Sequence, residues 1–373
     1  MPFPFVDLPP LFPDSFEPVL NAAVSRRSWT LTRVTRARRG YHSVMRLLLA
    51  LASLPLLTTF APFALYEEPP VPPVASIRFQ PVPLDESDPA RRRVGTLQFL
   101  GGWAIGSDDP RFGGISAMHV EAGEVVALSD AGSIIRFTLP GQEPARLTIR
   151  RLMDGPGSAA SKFDRDMEAM TVYGGHVWVG FEWRNAVWRY RRESWRSDGA
   201  ARPRAMRDWP SNSGAEAIVR LADGRFLIFS EGEGRRDGST EVLLFDGDPV
   251  RAGTREVALG YRAPNGYRIT DAALLPDGRL LLLNRRFSIF EGMSAKLVIA
   301  DPSGAKAGSV LTGAEIAHFE APLTVDNMEA LSVTREGGRT IVWIASDDNF
   351  SAVQRTLLLK FALAEDTTKA PQP

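Results

Sequence analysis

The chain has 373 residues, 44% of them hydrophobic, which is enough for one large packed domain or two ordinary ones and excludes a disordered protein. Its 44 basic side chains balance 44 acidic ones, so no global field favours nucleic acid or an anionic membrane, and any ligand must be recognised locally. The absence of cysteine excludes disulfides, thiolate nucleophiles and cysteine-held metals.

Residues 1–44, Pro-rich at first and basic from Arg26 to Arg39, read as an unstructured or misassigned extension, with Met45 as an alternative start. The Ser25-Arg26-Arg27 triplet lies too far from the next apolar run to serve as a twin-arginine signal. That run, Leu47 to Ala64, is uncharged, follows Arg46 and ends in small residues, so 45–64 is expected to be a signal peptide. Pro55 and Pro62 argue against a stable spanning helix. The expected location is therefore periplasmic or extracellular, with a membrane anchor if the signal stays uncleaved. Residues 65–75, with Glu67 to Pro73 as EEPPVPP, read as a stiff linker, 76–364 as the folded domain, and 365–373 as a disordered tail.

Beyond the linker, short alternating apolar runs are punctuated by Gly and Asp-Gly turns, the pattern of antiparallel sheet. Five units of roughly fifty residues align on Ser116-Ala117-Met118, Glu168-Ala169-Met170, Glu216-Ala217-Ile218, Asp271-Ala272-Ala273 and Glu329-Ala330-Leu331. Each continues through a turn (Gly123, Gly174-Gly175, Asp223-Gly224, Asp277-Gly278, Gly337-Gly338) into a second strand that ends at Asp130, Glu182, Glu231, Arg286 or Asp347. The first and last of these polar residues are equidistant from the turn, so both belong at the open end of one hairpin. A third and a fourth strand complete a blade. The last unit lacks its fourth strand, which Val94 to Ile105 is expected to supply. The expected fold is an all-β propeller of five four-stranded blades closed by an N-terminal strand, with a sixth blade from Ile77 to Ile105 as the alternative.

The first strand of a propeller blade lines the central channel, so Ser116, Glu168, Glu216, Asp271 and Glu329 are expected to converge there. Converging carboxylates need protons or a cation to neutralise them, and a hard cation with oxygen ligands, Ca2+, answers the need. Asp130, Asp347 and Asp348 are placed at the channel mouth. Arg184, Arg285 and Arg286 are candidate clamps for an anionic substrate, and Glu182 or Glu231 a general base. Only four histidines exist, which disfavours a zinc site. No Gly-x-Ser-x-Gly elbow and no phosphate loop is present.

Several strings resemble the phytase-like family, often named "esterase-like activity of phytase": Phe112-Gly113-Gly114-Ile115-Ser116, Asp166-Met167-Glu168-Ala169, Ser213-Gly214-Ala215-Glu216-Ala217, Thr270 to Gly278 followed by Arg285-Arg286-Phe287-Ser288, and Asp347-Asp348-Asn349-Phe350 with Gln354 to Leu359. The resemblance runs from about Val94 to Leu363 and implies an exported propeller with a phosphoester or ester hydrolase label. Asn284 departs from the acid that the family pattern leads one to expect. The ring is also similar to that of five-bladed calcium-dependent nucleotidases, which implies nucleoside di- or triphosphates.

The leading expectation is a calcium-dependent hydrolase of phosphate esters or anhydrides. Its partner would be a small anionic, phosphorylated substrate and not nucleic acid, with the chain a monomer and no membrane span after signal cleavage. The alternatives are a non-catalytic ligand-binding or interaction propeller with structural calcium, and a lactonase or carboxylesterase.

Overall fold

In the computed structural model, residues 75–211, 213–232 and 235–364 are described. The expected signal peptide, most of the linker and the tail lie outside the described residues. Among those residues, no helix is long and apolar enough to cross a membrane.

Five antiparallel sheets form the blades. Their innermost strands are Ile115–Glu121, Met167–Tyr173, Ala215–Arg220, Arg268–Leu274 and Met328–Glu336, and they touch one another in a closed cycle. The ring is closed as the sequence suggests. The strand Leu97–Ser107 pairs with Leu357–Leu363, so the N-terminal segment supplies the fourth strand of the blade that the C-terminal segment begins. Ile77–Pro81 then lines the outer edge of this fifth blade, which excludes a separate sixth blade.

Blade faces are apolar because both sides of each sheet are covered by a neighbouring blade. Leu281, Leu283 and Leu297 of blade four pack with Leu357, Leu359 and Phe361 of blade five, all essentially inaccessible to solvent. Each such side chain contributes on the order of 2 kcal/mol by leaving water. The alternation predicted from sequence therefore gives way, in the second and third strands, to continuous apolar runs such as Leu280 to Leu283.

One irregularity recurs in all five blades. The innermost strand carries a bulge near its start: the unpaired residue is Ser116, Glu168, Glu216, Thr270 and Glu329 in turn. A bulge places one extra residue outside the ladder and re-aims its side chain. Blade four thus differs from the sequence alignment by one residue. Its ring member is Thr270, and Asp271 pairs regularly with Leu283. The second strand shifts with it, so that Arg285, and not Arg286, is the counterpart of Asp130, Glu182, Glu231 and Asp347: each follows directly the residue paired with the innermost strand just before its bulge.

The hydroxyl members confirm the equivalence. Ser116 Oγ donates to the Met167 carbonyl, and Thr270 Oγ1 donates to the Met328 carbonyl at 3.1 Å. Both acceptors immediately precede the glutamate of the following blade.

Candidate metal and hydrolytic site

Glu168 and Glu216 project from two neighbouring bulge positions of the ring, and Glu329 from a third, set apart from them by Thr270 on one side and Ser116 on the other. Above them come the residues after the second strands. The backbone N–H groups of Asp130, Glu182 and Asp347 donate to the carbonyls of Gly114, Asp166 and Asn327, which pins each side chain over its own blade. The chain crowds here. A Cβ on Gly214 would lie 2.6 Å from the Glu182 carbonyl oxygen and 2.7 Å from its Cα, so only glycine admits this approach of blade two to blade three.

Asp166, Glu168 and Glu182 form the tightest group, each with a carboxylate oxygen within 4.8 Å of the others. Oxygen ligands across a calcium ion are separated by about twice a 2.3–2.6 Å bond, so the three acids match one coordination sphere. Their electrostatics point the same way. Burial and the charge of Asp130 push Asp166 up to about 6. Burial, then Asp166 and Glu231, push Glu182 up to about 8. Burial, then Asp166, Glu216 and Glu329, raise Glu168 well above the carboxylate range. The acids hold protons that a cation would displace. The residues fit a divalent metal ion bound through oxygen.

Around this triad stand further acids with two cations among them, Arg285 and Lys162. Burial followed by Glu231 and Glu182 raises Glu216, and burial raises Glu329 to about 7 against the opposing pull of Arg285. Asp347 is raised by burial, Asp130 and Glu329. Arg285 is the cation inserted into this acidic rim. Its guanidinium lies 3.3 Å from Glu329 and 3.6 Å from Glu231, and its buried Nε makes no hydrogen bond. The Nε is the atom that faces Glu329, an ion pair without hydrogen-bond geometry. Lys162 reaches Asp130 at 2.7 Å from the four-residue helix Lys162–Arg165. Burial would lower its pKa, but Asp130, Asp166 and Glu168 outweigh it and raise the ammonium's pKa.

The chain matches the sequence model of the Phytase-like family, described as "Esterase-like activity of phytase", over residues 110–350. It belongs to that family. Among curated proteins no sequence matches. Solved structures similar to this phytase-like chain include the glutaminyl cyclase of Myxococcus xanthus, at 10% identity and a TM-score of 0.41, covering 79% of this chain and 100% of that one. The α-L-arabinofuranosidase PaAbf62A of Podospora anserina, in complex with cellotriose, is similar at 11% identity and a TM-score of 0.43, covering 76% and 96%.

Other residues singled out from the phytase-like sequence lie differently. Asp271 is buried with both oxygens engaged, one accepting Ala272 N–H and the other Leu331 N–H of blade five, each at 2.7 Å. It ties two blades together and does not face the ring with the glutamates. Asp348 accepts Gly114 N–H at 2.9 Å and the Thr356 hydroxyl at 2.8 Å, joining blades five and one. Arg184 is bound to Asp164, and Arg286 pairs with Glu291 at 2.6 Å beside the Tyr267 ring. Of the three proposed clamp arginines, Arg285 alone contacts ring acids.

Lys162 and Asp166 were missed as site residues. Asp166 stands two residues before Glu168, at the position Asn327 holds before Glu329, where the repeat carries no recurring acid, and Lys162 lies in the long connection after Arg151, which has no repeat pattern. Thr270 was hidden by its acidic neighbour.

Proposed function

We propose that this chain is an exported, divalent-cation-dependent hydrolase of phosphate esters or anhydrides, with calcium as the ion. The observation that carries the reading is the Asp166, Glu168 and Glu182 cluster within 4.8 Å, on the face where Arg285 contacts the ring acid Glu329. A bound divalent cation supplies Lewis-acid polarisation of a phosphoryl oxygen and a water of lowered pKa.

The chain's own residues do the rest. Arg285, whose Nε and Nη2 contact Glu329 and Glu231 at 3.3 and 3.6 Å in ion pairs, binds the phosphoryl group through the exposed part of its guanidinium. Glu231, facing both Arg285 and Arg268, takes a proton from the attacking water. The water oxygen forms the new bond to phosphorus, the bond to the leaving oxygen breaks, and that oxygen takes a proton from a ring acid that burial keeps protonated. Glu329, a ring acid outside the triad that burial raises to about 7, supports that last role.

The test is phosphate release by the purified chain from phosphate esters and nucleotides, in excess calcium and then in excess chelator. Release is expected only with the cation, and Glu168→Gln or Arg285→Met should lower it at least a hundredfold. A folded protein that releases no phosphate in either condition would overturn this reading. Hydrolysis of lactones or carboxylic esters in its place would assign the same acids to acyl chemistry.

A further inference from the structure

Blade four is built differently from the others on the face that holds the acids. In blades one, two, three and five the second strand ends at Ser129, Phe181, Ser230 and Ser346, level with the ring. In blade four it runs on from Asn284 to Ser288 and pairs with Gly292 to Lys296 in an unbroken two-stranded stalk. Four further residues at about 3.3 Å each lift its tip roughly 13 Å beyond the ring.

The tip is apolar where turn chemistry favours polar residues. Phe287 is 62%, Ile289 86% and Phe290 98% exposed. No fold-level role accounts for them, since they bury nothing. The same face carries two more apolar projections: Trp183 stacked edge-on with Phe163 at 4.6 Å, and Phe350 with Val353 in the loop after Ser346. At the stalk's base stand the exposed Arg262 and Arg268, the latter 3.6 Å from Glu231, and within the stalk the half-buried Arg286, paired with Glu291 at 2.6 Å.

We infer that the acid-bearing face of the propeller docks on an anionic lipid surface, with Phe287, Ile289 and Phe290 as the inserted wedge and Arg262, Arg268 and Arg286 against the headgroups. Separate convex apolar tips on one face suit a soft plane. A protein partner would need a continuous complementary surface of about 1,000 Å² or more, which a stalk tip does not offer. Apolar side chains entering roughly 5–10 Å below the headgroups, reinforced by arginines, give reversible interfacial binding. The balanced net charge of the chain is no obstacle, because the arginines are local to the stalk. The ring acids are recessed, with Glu216 and Glu329 buried.

The absence of cysteine makes the test direct, since Phe290→Cys in the full chain accepts an environment-sensitive fluorophore at a single position. With phosphatidylglycerol-containing vesicles the label should shift to the blue and be quenched by lipids brominated in the upper acyl chain. The response should be at least tenfold weaker with phosphatidylcholine alone. The same label at Gln142→Cys, exposed on the opposite face, should not respond. Adding Ile289→Ser to the labelled chain should weaken vesicle affinity about tenfold, without altering turnover of a soluble phosphate ester. An unchanged signal at position 290, an equal signal at position 142, or equal response to both lipids would overturn the inference. A shift that appears without vesicles and follows protein concentration would also overturn it, assigning the tip to a second copy of the chain.

Discussion

Asp271 and Glu168 are both acids near the start of an innermost strand, and they differ in what their oxygens face. Asp271 accepts two backbone N–H groups, one of them from the next blade, so Asp271→Ala leaves two buried donors without partners. That change should cost about 2–4 kcal/mol of stability in denaturant unfolding and leave calcium affinity within threefold of the parent. Glu168 faces Asp166, Glu216 and Glu329, and Glu168→Gln removes a charge that burial and those neighbours resist. Calorimetric titration should show at least a hundredfold loss of calcium affinity. The cation-free protein at pH 8 should be equally stable or more so, because a buried like-charge contact has been relieved. If Asp271→Ala abolished calcium binding while Glu168→Gln left it intact, the assignment of ring and tie would be reversed.

At the scale of the element, the hairpin pattern was legible because turn residues and alternating runs repeat in each blade, and the missing fourth strand pointed to closure by Val94 to Ile105, where the strand Leu97–Ser107 closes the ring. The one-residue error in blade four has a physical cause. Residues 271 and 286 and residues 270 and 285 are both centred on the Asp277-Gly278 turn, so symmetry about the turn cannot separate the two registers. Only the bulge decides between them, and a bulge leaves no mark in hydrophobic periodicity. Two of the three triad acids were legible, Glu168 and Glu182, because acids recur at their repeat positions; the position of Asp166 carries Gly114 and Asn327 in other blades, and the nearby Lys162 belongs to a connection without a repeat. The same crowding makes Gly214 a sensitive position. In Gly214→Ala the new Cβ meets backbone atoms of Glu182 at 2.6 and 2.7 Å, and backbone cannot swing aside as a side chain can. A loss of about 1–3 kcal/mol is expected, together with about tenfold weaker calcium binding as Glu182 is displaced. Normal calcium binding by Gly214→Ala, measured calorimetrically, would show that Glu182 lies outside the coordination sphere.

For the whole molecule, the acids concentrate electrostatic strain where all five blades meet, and pH should reveal it. Asp166, Glu329 and Glu182 are held at about 6, 7 and 8, whereas free carboxyl groups titrate near 4. Each therefore binds its proton more tightly in the folded chain than in the unfolded one. Stability must then fall as pH rises from about 4 through about 8, the interval in which the unfolded chain has released protons that the fold retains. A divalent cation takes the place of those protons, so its affinity should climb across the same interval. Thermal unfolding in excess chelator should show a melting temperature that declines between pH 5 and pH 8.5. In excess calcium the decline should be cancelled or reversed, with the largest separation between the two curves at the alkaline end. A melting temperature that rises with pH in chelator would mean that these carboxyls are ionised and compensated within the fold, and a separation that is largest at pH 5 would mean that calcium binds elsewhere than at the ring.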